Sequence, residues 1–198
     1  VAALQCLGKL TPEQRAAVKT HRVDMGKVYG PVCNQQLPNS RLVVDRFHVA
    51  KQFNEVVDDL RKKTTRKYKA SLSKVEQKRF RSLMWEFRRD PKDLKPEERE
   101  ALDRLFVELP VLKDVYEVRV QFKEIFDNAP DPATAEQQLA ELRARTESLG
   151  LDFSKFWTTY DHWKTGILNY FDGRYTSAAV EGINNKARVI TKRCYGVK

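Results

Sequence analysis

Three carboxylates in this 198-residue chain stand where chemistry on a phosphate could be done. Asp24 follows His21-Arg22-Val23, a short stretch that fits the end of a strand. Asp45 follows Arg41-Leu42-Val43-Val44, a compact apolar strand of the buried kind. In open α/β sheets, ligands and metals collect at the carboxyl ends of the strands. Glu181 lies in a helical pattern in which Asn184, Asn185, Arg188 and Lys192 share its face, while Val180, Ile183, Ala187 and Ile190 fall on the other. An acid ringed by amides and cations suits a metal ligand beside a phosphate. Asp45 has a competing explanation, because a helical pattern starts directly after it and Asp is a favoured N-cap. His48, in the first turn of that pattern, is ordinarily a packed or hydrogen-bonded helix residue. Its alternative role is to orient a metal-binding carboxylate or to touch nucleic acid.

The elements that must position these groups change character along the chain. Thr11-Pro12-Glu13-Gln14 opens a short helix with an N-cap, Pro at the first position and an acid in the first turn. Residues 27–37 are mixed and carry Pro31, a weak helix signal, and Pro38-Asn39-Ser40 reads as a turn. After the strand at 41–44, Phe47, Ala50, Phe53, Val57 and Leu60 recur at helical spacing. Strand, helix, strand, helix in this order implies an α/β unit with parallel strands. Beyond residue 60 only helical patterns remain, over 65–89, 95–108, 111–128, 133–149, 154–171 and 177–194. Asp90-Pro91, Pro110, Pro130-Asp131-Pro132 and Gly150 interrupt them. A strand-bearing part followed by a long helical stretch is the expected pattern of an α/β core interrupted by a helical insertion.

Charge points to the partner. Residues 61–92 hold thirteen Lys and Arg against three acids, a local excess equal to the +10 of the whole chain. A second cluster, Lys186, Arg188, Lys192, Arg193 and Lys198, lies at the end. Localised positive charge is the footprint of a phosphate backbone; the plainer alternative is a solvated helix face. Cys6, Cys33 and Cys194 form no C-x-x-C pair and the three histidines are dispersed, which fits reduced thiols in a cytosol and speaks against a zinc site. No run of eighteen apolar residues is present for a membrane span, and the start has no signal-peptide pattern. Phosphate-loop, H-E-x-x-H and G-x-S-x-G patterns are likewise missing, which argues against the corresponding hydrolases.

Three blocks carry a family resemblance: Asp24-Met25; Asp45-Arg46-Phe47-His48-Val49-Ala50-Lys51; and the long segment 179–196, with Tyr170-Phe171 and Thr176 also fitting. Together they resemble the ISL-three family of insertion-sequence transposases, DNA-cutting and DNA-joining enzymes of the DDE type. The final block is long and specific; the Asp-Met dipeptide alone is weak.

The resemblance implies a ribonuclease-H-like α/β core, here an incomplete remnant, with a large all-helical insertion and a predominantly helical fold. It divides the chain into a partial core at 1–63, an insertion at 64–171 and a core helix at 172–198. It implies that Asp24 and Glu181 act as catalytic metal ligands, with Asp45 as the competitor for Asp24, and that His48, Asn184 and Asn185 support them by hydrogen bonds. Two Mg²⁺ or Mn²⁺ ions in the intact parent suit such a donor set, because hard cations prefer carboxylate and phosphate oxygens. The implied partner is double-stranded DNA, both transposon ends and target, in a bacterial cytoplasm. The expected contacts are Arg61, Lys62, Lys63, Arg66, Lys67, Lys186, Arg188, Lys192 and Arg193. The first catalytic Asp of the family sits on an earlier strand, and no acid before Asp24 has a strand-like setting, so the chain is expected to be inactive alone. An incomplete sheet exposes a strand edge, which would favour pairing into a homo-oligomer. The rival from another class is a non-enzymatic basic helical nucleic-acid-binding module, which leaves Glu181 and its neighbours unexplained.

Overall fold

A computed structural model describes residues 2–26, 28–174 and 178–193. The chain divides into two compact units, residues 1–49 with 163–198, and residues 50–162. The boundaries between these units fall at 49/50 and 162/163, inside two helices.

The first unit opens with α1 (Ala2–Gly8) and α2 (Pro12–Ala17), then runs β1 (Thr20–Val23), α3 (Tyr29–Gln36) and β2 (Arg41–Val44). The Thr11 side chain and Gln14 form the capping box of α2, with Pro12 in its first turn. β1 and β2 are parallel, in the register Thr20↔Arg41 to Val23↔Val44, with α3 as the crossover. A helix therefore forms in 27–37 despite Pro31, which occupies its first turn, where a missing N–H costs nothing.

Two strands alone make a marginal sheet, so the packing around β2 matters. Val43 and Val44 are wholly buried, along with Val23, Ile167, Tyr170 and Phe171. The end of α9 (Ser154–Leu168) lies against β2 so closely that a Cβ on Gly166 would stand 2.4 Å from Leu42 Cδ2 and 2.9 Å from Val44 Cγ2. Arg41 and Asp45 donate their N–H groups towards β1, so the alternation of a strand turns Leu42 to the opposite edge. There the Asn169 amide donates to the Leu42 carbonyl at 2.8 Å, and Arg41 pairs with Asp172. The last described element is α10 (Ala178–Arg193).

The regular elements of the second unit's described residues are all helices: most of α4 (Arg46–Ser71), then α5 (Lys74–Glu86), α6 (Pro96–Glu108), α7 (Pro110–Asn128), α8 (Pro132–Ser148) and most of α9. The apolar stripes of these helices meet in an aromatic centre. Phe53 stacks on Phe122 at 3.8 Å between centroids, and Phe156 stands edge-on to both at 4.9 and 5.6 Å. Prolines at or next to the first position start α6, α7 and α8, and the Asp131 carboxylate accepts from Thr134 N–H to cap α8. Arg119 is buried and donates to the carbonyls of Arg88 (3.2 Å) and Arg89 (2.7 Å), satisfying backbone oxygens just past the end of α5.

The stretch 65–89 is two helices rather than one. Ser73 and Glu76 form a capping box that restarts the chain as α5 after α4 has ended. Among the described residues, predominant helicity with one parallel strand pair agrees with the sequence pattern. Among the described residues no helix is long and apolar enough to cross a membrane.

Candidate active site and nucleic-acid interface

The strand register decides where the first two carboxylates stand. Val23 pairs with Val44, so Asp24 and Asp45 leave the sheet at the same end, side by side in sequence position. Their surroundings then separate them. Asp24 is exposed, and its Oδ1 accepts the Gly26 N–H at 3.2 Å in a local Asx turn. Gly26 permits that turn, since a Cβ there would lie 2.8 Å from the same oxygen.

Asp45 is only 5 % exposed. Its Oδ1 accepts the Phe47 N–H at 2.8 Å, and its carbonyl accepts His48 N–H, which makes it the cap that starts α4. His48 is half-buried and meets the Phe47 ring edge-on at 5.5 Å. His21, on β1, is buried; its Nδ1 lies 2.7 Å from Ser40 Oγ. Burial pushes the His21 pKa down, against an opposing hydrogen bond with Asn34.

The backbone of Glu181 lies within α10. The side chains of Glu181, Asn184, Lys192 and Arg193 lie outside the described residues. Asn185, Lys186 and Arg188 are exposed. Ala187 and Ile190 (61 %) are exposed as well, so the apolar side of this helix is not buried among the described residues. Among those residues no group of three or more His, Cys, Asp or Glu side chains could hold a metal ion. Asp24 offers an accessible hard-oxygen donor of the kind Mg²⁺ prefers.

The cations of α4 are sorted by the helix. Lys62, Lys63, Arg66 and Lys67 are exposed. Arg61 is not: it is 9 % exposed and donates through Nε (2.9 Å) and Nη2 (2.6 Å) to Asp58 Oδ1. Its guanidinium is therefore turned onto a carboxylate rather than into solvent. Asp58 gathers three cations, with Lys62 at 2.8 Å and Arg88 at 2.7 Å besides Arg61. Its burial would raise its pKa, but those partners together hold the carboxyl well below the usual carboxylate range.

A cleft of about 500 Å³ beside α4 is lined by Lys62, Lys63, Arg66 and Lys155, together with Asp59 and Asp152. Sequence reasoning does not single out Lys155. It is remote in the chain, and only the packing of α9 brings it to the α4 cations; no local pattern marks it.

Residues 2–198 match the model of the DDE transposase family of the ISL3 type, described as transposase. The chain belongs to that family. It is 27 % identical over 195 residues to the transposase for insertion sequence element IS1001 of Bordetella parapertussis, an alignment that covers 96 % of this chain and 47 % of that protein. The chain thus spans about half the length of this ISL3-type relative. No solved structure matches.

Proposed function

We propose that this chain is the downstream part of the catalytic domain of a DNA transposase that cleaves and joins DNA strands. Asp24 and Glu181 are two of its three metal-binding carboxylates. In this reading residues 1–49 and 163–198 belong to a ribonuclease-H-like core, and residues 50–162 are its helical insertion. The observation that carries the reading is the pairing of Val23 with Val44, which puts an exposed Asp at the carboxyl end of a parallel strand pair in a chain of this family.

The residues fit the group they would hold. Asp24 would supply oxygen ligands from the sheet edge, Glu181 would supply them from α10, and a third carboxylate would come from upstream sequence. A divalent metal held by these carboxylates would supply activation of the attacking oxygen and stabilisation of the leaving one in an in-line displacement. Asp45 keeps the first turn of α4 in place, which holds the end of β2 and hence the level of Asp24 beside it. Lys62, Lys63, Arg66 and Lys67 neutralise backbone phosphates of duplex DNA without reading bases. Lys186 and Arg188, on the Glu181 helix, extend the same role, and Asn185 donates to a phosphate or a ligand carboxylate.

Because activity needs all three carboxylates, residues 1–198 bind DNA without cutting it. The test is nicking of supercoiled plasmid in Mg²⁺ or Mn²⁺ by residues 1–198, by the full-length protein and by its Glu181→Gln variant. Nicking by the full-length protein, lost in Glu181→Gln, supports the reading. Metal-dependent nicking by residues 1–198, abolished by Glu181→Gln, would show that all the ligands lie within them and overturn the assignment.

A further inference from the structure

The outer face of α5 has a composition that phosphate neutralisation alone does not explain. Lys74, Lys78, Arg81 and Trp85 recur at i, i+4, i+7 and i+11, which places all four on one stripe about 16 Å long, and Arg88 follows just past the end of the helix. All five are exposed, and Trp85 shows 68 % of its surface. The helix sorts its charges by face. Its two acids, Glu76 and Glu86, lie on the other side with Arg79, lining a groove with Phe80 and Leu83. Trp85 therefore sits in an all-cationic stripe.

The indole has a cationic neighbour. The Arg88 guanidinium lies 5.7 Å from the centre of its ring, and the same guanidinium is tied to Asp58 of α4 at 2.7 Å. Arg88 also lines a cleft of about 540 Å³ in which Lys51, Lys62 and Lys155 stand beside Glu55, Asp58 and Asp59. Beyond Arg88 the surface is of mixed charge, so the cationic character belongs to the α5 stripe itself. An exposed aromatic plane flanked by backbone-neutralising cations is the arrangement that binds an unpaired nucleotide: the base stacks on the ring while its phosphates meet Lys and Arg. A fully paired duplex offers such a ring no free base face.

We infer that Trp85 is a base-stacking residue, and that the Lys74–Lys78–Arg81 stripe, with Arg88 just past it, binds DNA carrying an unpaired base. The inference rests on the DNA-binding reading above and specifies the form of DNA that this helix takes. Trp85 packs into no core, so its replacement leaves the fold intact and the binding readout interpretable.

The experiment measures affinity of the full chain at fixed salt for three probes: a paired duplex, the same duplex with one bulged thymine, and the same bulge made abasic. Wild-type protein binds the thymine bulge more tightly than the other two. Trp85→Ala weakens binding to the thymine bulge by about 5- to 150-fold, leaves the paired duplex unchanged, and erases the difference between thymine and abasic bulges. Trp85→Phe restores part of the preference. Wild-type binding that ignores the unpaired base, or a Trp85→Ala loss equal on all three probes, overturns the stacking role and leaves the DNA reading standing. A Trp85→Ala variant with unchanged DNA binding but an altered oligomeric state overturns it too, and would make the indole a protein interface. Failure of the wild-type chain to bind any probe would overturn both readings.

Discussion

The strand-bearing unit and the helical unit place their functional groups by different means. In the first, one register fixes everything: Val23 opposite Val44 sets Asp24 and Asp45 at one sheet end, and a slip of one residue would turn each strand's side chains to the opposite face. In the second, helical periodicity sorts charge. Around α4, Arg61 is turned onto Asp58 while Lys62, Lys63, Arg66 and Lys67 remain in solvent. The first unit tolerates little change near its few strand residues. The second can lose single surface cations gradually, but not the aromatic centre that holds its helices together. This contrast between a positional site and a distributed one can be broken or sharpened by substitution.

The largest stability effect is expected in the helical unit. Phe53→Ala removes a ring stacked on Phe122 and touched edge-on by Phe156, and should cost about 3–5 kcal/mol of unfolding free energy in denaturant titration. A cost under about 1 kcal/mol would mean that this centre does not organise the helices. Next comes the strand unit, where Gly166→Ala drives a methyl into Leu42 and Val44 and should cost about 1–3 kcal/mol. Tolerance of Gly166→Ala would show that β2 and the end of α9 separate more easily than their spacing implies.

The surface cations should show their effect in the salt dependence of DNA binding rather than in stability. Reversing Lys62, Lys63, Arg66 and Lys67 to Glu should make the log–log slope shallower by about 0.9 for each phosphate that the helix no longer neutralises. Arg61→Ala should leave that slope unchanged and lower stability instead, because it removes two of the hydrogen bonds on Asp58. An Arg61→Ala variant with a changed slope and normal stability would reverse this sorting of inward and outward cations.

Acidity gives the smallest effect. The Asp58 carboxyl has a lowered pKa in the fold, so its contribution is present above the ordinary Asp value of about 3.9 and is lost as pH falls below it towards the folded value. Asp58→Asn should therefore flatten the acid limb of the stability curve measured below pH ~4. His21 works at higher pH with the same sense. Its lowered pKa means that protonation opposes folding, so stability declines as pH falls through about 6.5, the ordinary His value. His21→Gln should remove that decline.

Much of this was legible in the sequence because it is local. The apolar run Arg41–Val44, the Thr11 cap, the prolines before α6, α7 and α8, and the helical spacing of Phe47, Phe53 and Val57 each announce an element through a short-range rule. The Ser73-x-x-Glu76 box that divides α4 from α5 was equally local, but it lay inside a continuous helical periodicity that concealed it. What was not legible depends on packing. Arg61 carried a local signal that charge counting passes over, since it stands four residues after Val57 on the apolar stripe and three after Asp58, whereas nothing near Lys155 marks it as a companion of the α4 cations. Both Asp24 and Asp45 end a strand, and the helical pattern directly after Asp45 already reads it as a cap; what packing adds is that Asp24 is exposed and Asp45 buried. For Glu181 the sequence block remains the guide, since its side chain lies outside the described residues.

The central claim, that Asp24 rather than Asp45 works with Glu181, is tested most directly by comparing two isosteric variants in the full-length protein. Asn caps a helix about as well as Asp, so Asp45→Asn keeps the start of α4 and removes only the charge. Nicking of supercoiled plasmid in Mn²⁺ should fall roughly 10³-fold in Asp24→Asn, the loss expected when several kcal/mol of metal-borne charge stabilisation disappears. Asp45→Asn should retain most of the activity. Loss of nicking in Asp45→Asn, with Asp24→Asn still active, would contradict the account and move the metal site to the buried carboxylate.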